Sequence, residues 1–459
     1  MASAVESERG NWRWWGRVGF RFAFLFWGNF CLLKMGLLWQ VTWFLPWFNK
    51  WVLRWPMFVL EWPSERLTAW FTTHVFHLTG QAATRHPTGS GDTAQDWLGA
   101  LSVLVLAVLG CAVWTAIAEW GIARRGWRRE YRTLYAWLRL AMRFTLGSVL
   151  LSYGFSKVFD LQFSPPGSHM LNETYGDSSP MGLLWTFMGF SVPYTIFAGI
   201  AEVVPGVLLL FRRTMTIGAL SAAAVMLNIV LLNFCYDVPV KLYSSTYLAM
   251  ALFLVLPDVK PMLRFFVGNR EARLHGVWLP PWERRPLRIA GYCLQALVVA
   301  HLLYANVSSG LLQWKAKVPA EVVAPRVSQK MNPQYANIDG SWVVDSSSGW
   351  PETQEWTSVT IGKLRYQSID FLQAPKADGG FRNYGEWMDW QHQIHFLDHA
   401  DSVLHWSVDA NGNATLEGTW LGKPAKLTMH PDGAKADAPK NYPLMTRGFH
   451  WVQEMPYGR

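Results

Sequence analysis

The chain has 459 residues, which exceeds a typical single domain of about 100 to 200, so we expect more than one structural unit. Apolar residues make up 51% of the chain and charged residues only 16%, against about 25% in soluble domains. This composition excludes an entirely soluble protein. The formal charge of +9 does not indicate nucleic-acid binding, because the basic residues form short clusters between apolar runs.

Seven apolar windows reach or approach the roughly 20 residues that a membrane-spanning helix needs. They lie near residues 18–46, 97–119, 134–157, 183–211, 214–236, 243–258 and 288–308. Basic clusters mark the cytoplasmic ends of spans, and here they occupy alternate connections, at 121–132, at 212–213 and at 260–288. The sequence therefore predicts a mainly α membrane protein, a seven-span helical bundle with its N-terminus in the cytoplasm and its C-terminus outside.

Tryptophans and basic residues alternate over residues 49–95, which is typical of helices that lie in the membrane interface. His74 and His77 would share one helix face, but a third metal ligand is missing, so two interfacial side chains are the favoured interpretation. Thr93 and Asp96 have the capping-box spacing that marks the start of the next helix.

Short alternating runs replace the long apolar windows from residue 318 onward and predict an antiparallel β sandwich or barrel. The segment 403–430 has the pattern of a three-stranded meander. Asn411-Gly412 indicates a type I′ hairpin turn, and Gly422-Lys423-Pro424 a second turn. The histidines of this region lack a repeated i, i+2 spacing, and we predict no metal site.

Four regions follow from these patterns. They are an N-terminal two-span region with outer interfacial helices (1–132), a four-helix core (133–258), a basic loop with the seventh span (259–317) and a β domain (318–459).

Ionisable residues inside spans are costly, and they are therefore the candidate functional residues. One helix face of the third window carries cations, glycines and a leucine at steps of three or four: Arg139, Arg143, Gly147, Leu150, Gly154 and Lys157. The fourth window contains one interior acid, Glu202, with Gly199 and Gly206 at helical spacing. The glycines should let a second helix approach closely.

Depth along the helices suggests which charges meet. Counted inward at 1.5 Å per residue from Arg212 and Arg132, Glu202 and Arg143 lie about 15 and 16 Å deep. We predict a buried pair between Glu202 and Arg143, with Arg139 as an alternative or additional donor. Two roles remain open for it, a helix-registering ion pair or a proton-handling or headgroup-binding site.

A second polar cluster is predicted at the outer ends of the third and fifth windows. The candidate ligand-binding residues are Tyr153, Lys157, Asp160, Asn233, Tyr236, Asp237 and Lys241, with Ser156, Asn228, Ser244, Ser245 and Asp177 as neighbours. Polar groups that converge above a bundle suggest a pocket open to the outside, whereas span ends that are merely polar are the alternative.

Three sequence blocks resemble the four-helix core of the DoxX family. They are LRLAMRFTLG at 138–147, GFSKVF at 154–159 and AGIAEVVPG at 198–206, and the similarity covers about 125 residues. Relatives in the wider group include the DoxD subunit of thiosulfate:quinone oxidoreductase, the MauE proteins and a cargo receptor. The resemblance implies a DoxX-like membrane core and, through DoxD, electron transfer to quinone.

The leading hypothesis is a multi-pass DoxX-like protein of the bacterial inner membrane that acts as a component of a quinone-linked oxidoreductase. Quinone would then be the cofactor, with Lys157 and Asp237 near its ring and Glu202 handling protons. The alternative is a non-enzymatic assembly, cargo or lipid-binding protein whose β domain faces the periplasm and docks a protein partner. No nucleic-acid partner is expected.

Overall fold

The computed structural model describes the chain in segments. These are residues 12–34, 37, 47, 52, 54–84, 91–126, 130–163, 165–166, 175, 178–274, 285–317, 340–349, 356–361, 372–375, 381–384, 386–388, 393–396, 399–409 and 411–432. The chain divides into two compact units. The first, here called the helical unit, comprises Met1–Val158 and Phe197–Gly310, and the second, the sheet unit, comprises Phe159–Ile196 and Leu311–Arg459.

Long helices dominate the first two thirds of the chain. They are α1 (Trp14–Asn29), α2 (Arg54–Trp70), α3 (Ala94–Arg125), α4 (Arg132–Val158), α5 (Pro180–Phe190), α6 (Val192–Leu210), α7 (Met215–Cys235), α8 (Lys241–Val255), α9 (Val259–Phe266) and α10 (Arg285–Lys317). Single π turns follow α1 at Phe30–Lys34 and α2 at Phe71–Val75. The predicted capping box opens α3, because the Thr93 hydroxyl accepts the Asp96 N–H and the Asp96 carboxylate accepts the Thr93 N–H.

Among the described residues, six stretches of helix are long and apolar enough to cross a membrane, which confirms the prediction of a membrane protein. They are Ala94–Arg125, Arg132–Val158, Val192–Leu210, Met215–Cys235, Lys241–Phe266 and Ile289–Trp314. Their outer faces are apolar, as a lipid environment requires: Val108, Val113 and Ile117 of α3 are each more than half exposed. The first predicted window begins in α1 and its π turn, but most of residues 35–46 lie outside the described residues. The count of seven spans therefore stays a prediction.

The fourth predicted window is not one helix. The chain breaks at Ser191, whose φ of −111° and ψ of 93° are extended, and α6 starts one residue later. Pro193 explains the break, because it has no N–H with which to continue the hydrogen-bond ladder of α5. Proline is well placed in the first turn of the new helix, where its N–H is not needed.

Two glycine pairs join α4 to α6 and confirm the predicted close approach. A Cβ added at Gly199 would lie 2.6 Å from the Gly154 carbonyl oxygen, and one added at Gly147 would lie 3.1 Å from the Gly206 carbonyl oxygen. Because residue 147 faces 206 and residue 154 faces 199, the two helices run antiparallel. These contacts fix the register of α4 against α6.

The described residues of the sheet unit form a nine-stranded antiparallel sheet. Its strands are β1 (Gly340–Ser348), β2 (Ser358–Ile361), β3 (Leu372–Pro375), β4 (Phe381–Tyr384), β5 (Glu386–Met388), β6 (Gln393–Phe396), β7 (His399–Val408), β8 (Ala414–Trp420) and β9 (Lys423–Pro431). Their order is β4-β3-β2-β1-β9-β8-β7-β6-β5. The predicted meander is confirmed as β7–β9, but the sheet is a half-barrel rather than a two-layer sandwich or a closed barrel.

The sheet curls because its two edge strands are neighbours in sequence. Only residue 385 separates β4 from β5, although these strands occupy opposite edges. The concave side is filled by large alternating side chains, among them Trp342, Trp406, Trp420 and Leu427. Trp342 and Trp406 meet edge to face with ring centroids 5.3 Å apart.

The type I′ turn predicted at Asn411-Gly412 lies instead at the second predicted turn. Trp420 pairs with Lys423, and both residues between them have positive φ, 49° at Leu421 and 77° at Gly422, as a type I′ turn requires. The Asn411-Gly412 turn is instead part of a longer loop, because Val408 pairs with Ala414. The Asp409 carboxylate holds that loop by accepting the N–H groups of Asn411 and Asn413.

A methyl group at Gly199, in the glycine contact between α4 and α6, should destabilise the helical unit. We expect Gly199→Ala to lower the free energy of unfolding by about 1–3 kcal/mol, because the new Cβ forces two backbones apart. Gly19→Ala in α1 is the matched control, since nothing lies within 4 Å of its added Cβ. Thermal unfolding in detergent measures both. An equal effect of the two substitutions would contradict the close contact between α4 and α6.

Acidification should loosen the loop that follows β7. The N–H groups of Asn413 and Asn411 hold the pKa of the Asp409 carboxyl below its ordinary value. The resulting stabilisation is present above the unfolded-state pKa and is lost as the pH falls through the lowered folded-state pKa. We expect Asp409→Asn to speed amide hydrogen exchange at residues 411–413 at pH 7, and the difference to shrink below about pH 3. Glu417→Gln on β8 serves as the exposed-acid control.

Candidate functional site

A buried acid–base pair links α4 to α6 beside the contact between Gly154 and Gly199. The Lys157 ammonium lies 2.8 Å from Oε1 of Glu202 and 3.0 Å from Oε2, and the two side chains are 9% and 4% exposed. Tyr153, one turn earlier on α4, places its ring 5.8 Å from the Lys157 Nζ and is half exposed. The pair thus sits at a helix crossing next to an aromatic ring that reaches the outer surface of the bundle.

The predicted pairing of Glu202 with Arg143 is wrong, and the helix register explains why. The prediction took Arg132 and Arg212 to lie at the same depth. The glycine contacts instead place Arg143 opposite Leu210 at the end of α6, so α4 continues roughly ten residues, about 15 Å, beyond that end. Glu202 of α6 consequently lies beside the C-terminal part of α4, within reach of Lys157.

Arg139 and Arg143 contact helix ends instead of a carboxylate. Nη2 of Arg143 donates to the Leu210 carbonyl at 3.2 Å, and Nη2 of Arg139 donates to the Leu254 carbonyl at 3.1 Å. Gln295 of α10 also donates to the Leu210 carbonyl, at 2.9 Å. Carbonyls in the last turn of a helix lack an intrahelical donor and carry partial negative charge, so the two arginines stabilise the ends of α6 and α8.

The arginine pair remains positively charged within the bundle. Among the described residues neither guanidinium makes an ion pair, and each has a buried Nε without a hydrogen-bond partner. Arg139 and Arg143 are close enough for their charges to repel. Asp258 adds one negative charge to this region: its carboxylate accepts the Thr216 hydroxyl at 2.7 Å, and both Asp258 and Arg139 act electrostatically on Tyr135.

Asp237 and Lys241 belong to a separate cluster at the start of α8. The Lys241 ammonium lies 2.7 Å from the Asp237 carboxylate and 3.8 Å from that of Asp92. Asp92 also accepts the backbone N–H groups of Lys241 and Leu242, at 2.7 and 2.9 Å. Asp92 therefore caps α8 from a distant loop and ties that loop to the helix.

The other predicted pocket residues lie in different environments. Asn233 is buried with its Nδ2 unpartnered, Tyr236 is exposed, and the Ser156 hydroxyl donates to the Tyr153 carbonyl of its own helix. Asp160 belongs to the sheet unit and has a positive φ of 51°. Asn228 is exposed, Ser244 is buried and Ser245 is half-buried. Asp177 lies outside the described residues.

One charged cluster was not predicted from the sequence. Arg17 and Arg21 of α1 both bind the Glu119 carboxylate of α3, each with an Nη2 distance of 2.9 Å. Tyr131 and Thr115 complete the contacts of the fully buried Arg21 guanidinium. The signal was present, since Arg17 and Arg21 flank the start of the first apolar window and Glu119 is the last residue of the second.

The histidines do not form a metal-ligand set within the described part of the chain. No group of three His, Cys, Asp or Glu residues there is arranged to hold a metal ion. His74 stacks on Trp70 at 5.7 Å, and His430 contacts Asp345 at 2.7 Å on the sheet surface. His392 and His450 lie outside the described residues.

Comparison with known proteins adds one partial relative. No family model matches the chain, and no solved structure matches it. The uncharacterized protein YwoB of Bacillus subtilis (strain 168) is 37% identical over 84 residues, which cover 18% of this chain and 54% of that protein. The match thus spans about half the length of the relative, whose name assigns no activity. Membership of the DoxX family stays a prediction.

Removing one charge of the Lys157–Glu202 pair should destabilise the folded protein. We expect Glu202→Gln to lower the free energy of unfolding by about 3–5 kcal/mol, because it leaves the Lys157 ammonium buried without a counter-charge. Adding Lys157→Met to Glu202→Leu should recover most of that loss. Asp237→Asn at the exposed pair is the matched control, with an expected loss under about 0.5 kcal/mol. If Glu202→Gln unfolds at the same temperature as Asp237→Asn, the pair does not stabilise the crossing.

Proposed function

We propose that this protein is a DoxX-like multi-pass protein of the bacterial cell membrane that binds a quinone head at Lys157 and Glu202, as a component of a membrane oxidoreductase. One observation carries the proposal: an acid and a base are held within 3 Å of each other, buried in apolar surroundings between two spanning helices. Such pairs in spans commonly handle protons or bind a polar ligand.

The chemistry of quinone reduction suits these groups. Conversion of a quinone to a quinol consumes two electrons and two protons. The Lys157 ammonium can donate a hydrogen bond to a quinone carbonyl, and Glu202 can pass protons to the reduced oxygen. The electrons come from a reduced inorganic sulfur compound or a partner subunit, as the DoxD resemblance implies.

The position of the pair favours a ligand that arrives through the lipid. Lys157 is the second-to-last residue of α4, so its ammonium lies near the end of a spanning helix. Tyr153 is half exposed beside it and offers a ring against which a quinone ring can stack. Hydrophobic quinones move within the bilayer and reach such a site from the side.

The proposed topology places the N-terminus in the cytoplasm and the C-terminal β domain in the periplasm. It rests on α1 and its π turn acting as a seventh span, since together they extend about 30 Å. The basic connections support it: Arg124 and Arg125 end α3, Arg212 and Arg213 follow α6, and Arg264 lies in α9.

The arginine pair favours a second candidate function, the binding of an anionic lipid. Arg139 and Arg143 keep a positive charge inside the bundle and leave N–H groups without acceptors. A lipid phosphate would supply both a counter-charge and acceptors. The related idea, that the β domain docks a periplasmic protein, stays a prediction. In the described strands and turns the large exposed apolar side chains are Val408 and Leu421.

Quinone titration tests the leading proposal. Purified full-length protein should carry quinone detectable by mass spectrometry and should bind a short-chain quinone. We expect Glu202→Gln and Lys157→Met each to weaken that binding at least tenfold, while Asp237→Asn leaves it unchanged. Each variant is first checked for a normal elution volume by size-exclusion chromatography.

Quinone binding that is equally strong in all three variants would contradict the proposed site. Absence of bound quinone together with unmeasurable titration would reject the function. Mass spectrometry of the same sample for phospholipid then tests the second candidate.

A further inference from the structure

A cavity of about 270 Å³ lies between α2, with its π turn, and the first turns of α3. Its polar lining comes from Ser64, Glu65, Thr68, Thr72, Thr73 and Gln95. Ser64 and Thr72 are buried, whereas Glu65 and Thr73 are exposed at the opening. The cavity shares no residue with the Lys157 and Glu202 pair or with the two arginines.

The cavity is placed at the depth of lipid headgroups. Gln95 is the second residue of α3, and α3 is the most apolar of the spanning helices. A group beside its first turn therefore lies near the membrane surface. Trp62 and Trp70 of α2 are each about half exposed, as expected of aromatic side chains at that level.

Each hydroxyl group of the lining already donates its hydrogen to another group of the protein. Ser64 donates to the Glu61 carbonyl, Thr72 donates to the Thr68 carbonyl, and Thr73 donates to the Ala69 carbonyl. The Thr68 hydroxyl lies 2.7 Å from the Ser64 carbonyl and 2.9 Å from the Ser102 hydroxyl, which itself donates to Leu98. A hydroxyl has one hydrogen, so each of these oxygens can only accept a further hydrogen bond.

The remaining polar groups are acceptors too. Nε2 of Gln95 donates to the Thr72 hydroxyl at 3.2 Å and to the Ala82 carbonyl at 2.8 Å, which leaves its Oε1 as the available atom. The Glu65 carboxylate makes no hydrogen bond or ion pair within the described residues and adds a negative charge. The capping box of α3 engages the N–H groups of Thr93 and Asp96, and the Asp96 carboxylate offsets the positive helix dipole.

We propose that this cavity binds a primary ammonium group. An ammonium offers three N–H donors and a positive charge, which complement a wall of acceptors and one carboxylate. At about 30 Å³ per water molecule the cavity holds roughly nine waters, enough for a small aminoalcohol. The group could belong to a free amine or to the ethanolamine headgroup of a phospholipid, because both present the same chemistry.

Binding of ethanolammonium to the full-length protein in neutral detergent tests the site. We expect saturable binding by calorimetry, and at least tenfold weaker binding of choline, whose nitrogen carries three methyl groups and no N–H. Glu65→Gln and Thr68→Val should each weaken ethanolammonium binding about tenfold. Glu61→Gln is the matched control, since it removes the same charge from the same helix but does not line the cavity.

A second experiment, with phospholipids, identifies the source of the ammonium group. Native mass spectrometry of protein in nanodiscs that contain phosphatidylethanolamine and phosphatidylcholine should show retained phosphatidylethanolamine that Glu65→Gln releases. If ethanolammonium binds but neither lipid is retained selectively, the ligand is a free amine. Choline binding as strong as ethanolammonium, no binding of either probe or lipid, or equal losses in Glu65→Gln and Glu61→Gln would overturn the proposal.

Discussion

The backbone contact between α4 and α6 determines which charged residues can meet. Glycines on both helices bring Gly154 and Gly199 so close that even one methyl group would collide with a carbonyl oxygen. In a bilayer, helices gain little from hiding apolar surface from lipid, so close packing at small residues is a main source of their association. That contact leaves one register for the two helices. Lys157 then reaches Glu202, and Arg143 reaches the end of α6.

Charge inside the helical unit is compensated in two different ways. Lys157, Arg17 and Arg21 meet carboxylates on other helices. Arg139 and Arg143 meet the carbonyl groups at helix ends, which lack water as an alternative partner within a bilayer. The second arrangement satisfies the backbone but does not cancel the charge. The same side chains can therefore stabilise the bundle and attract an anionic ligand.

Side-chain hydrogen-bond direction decides the chemistry of the cavity beside α2. Serine and threonine in a helix often donate to the carbonyl one turn earlier, which exposes only their acceptor lone pairs. Ser64 and Thr72 do so, and the amide of Gln95 faces the same space with its oxygen available. A sequence rich in hydroxyl groups would suggest donors as well as acceptors. The folded arrangement removes the donors and makes the cavity selective for a cation that carries N–H groups.

The sequence by itself determined the features that depend on local composition. Apolar windows predicted the spanning helices, Thr93 and Asp96 predicted the start of α3, and alternation predicted strands β7–β9, because each of these follows from short-range periodicity and capping. It also identified Lys157 and Glu202 as costly charges in spans. The tertiary structure alone decided their pairing, because the depth of a residue depends on how far one helix extends past another. It likewise decided that Asp92 caps α8, since this contact joins residues 149 positions apart whose meeting no local pattern encodes.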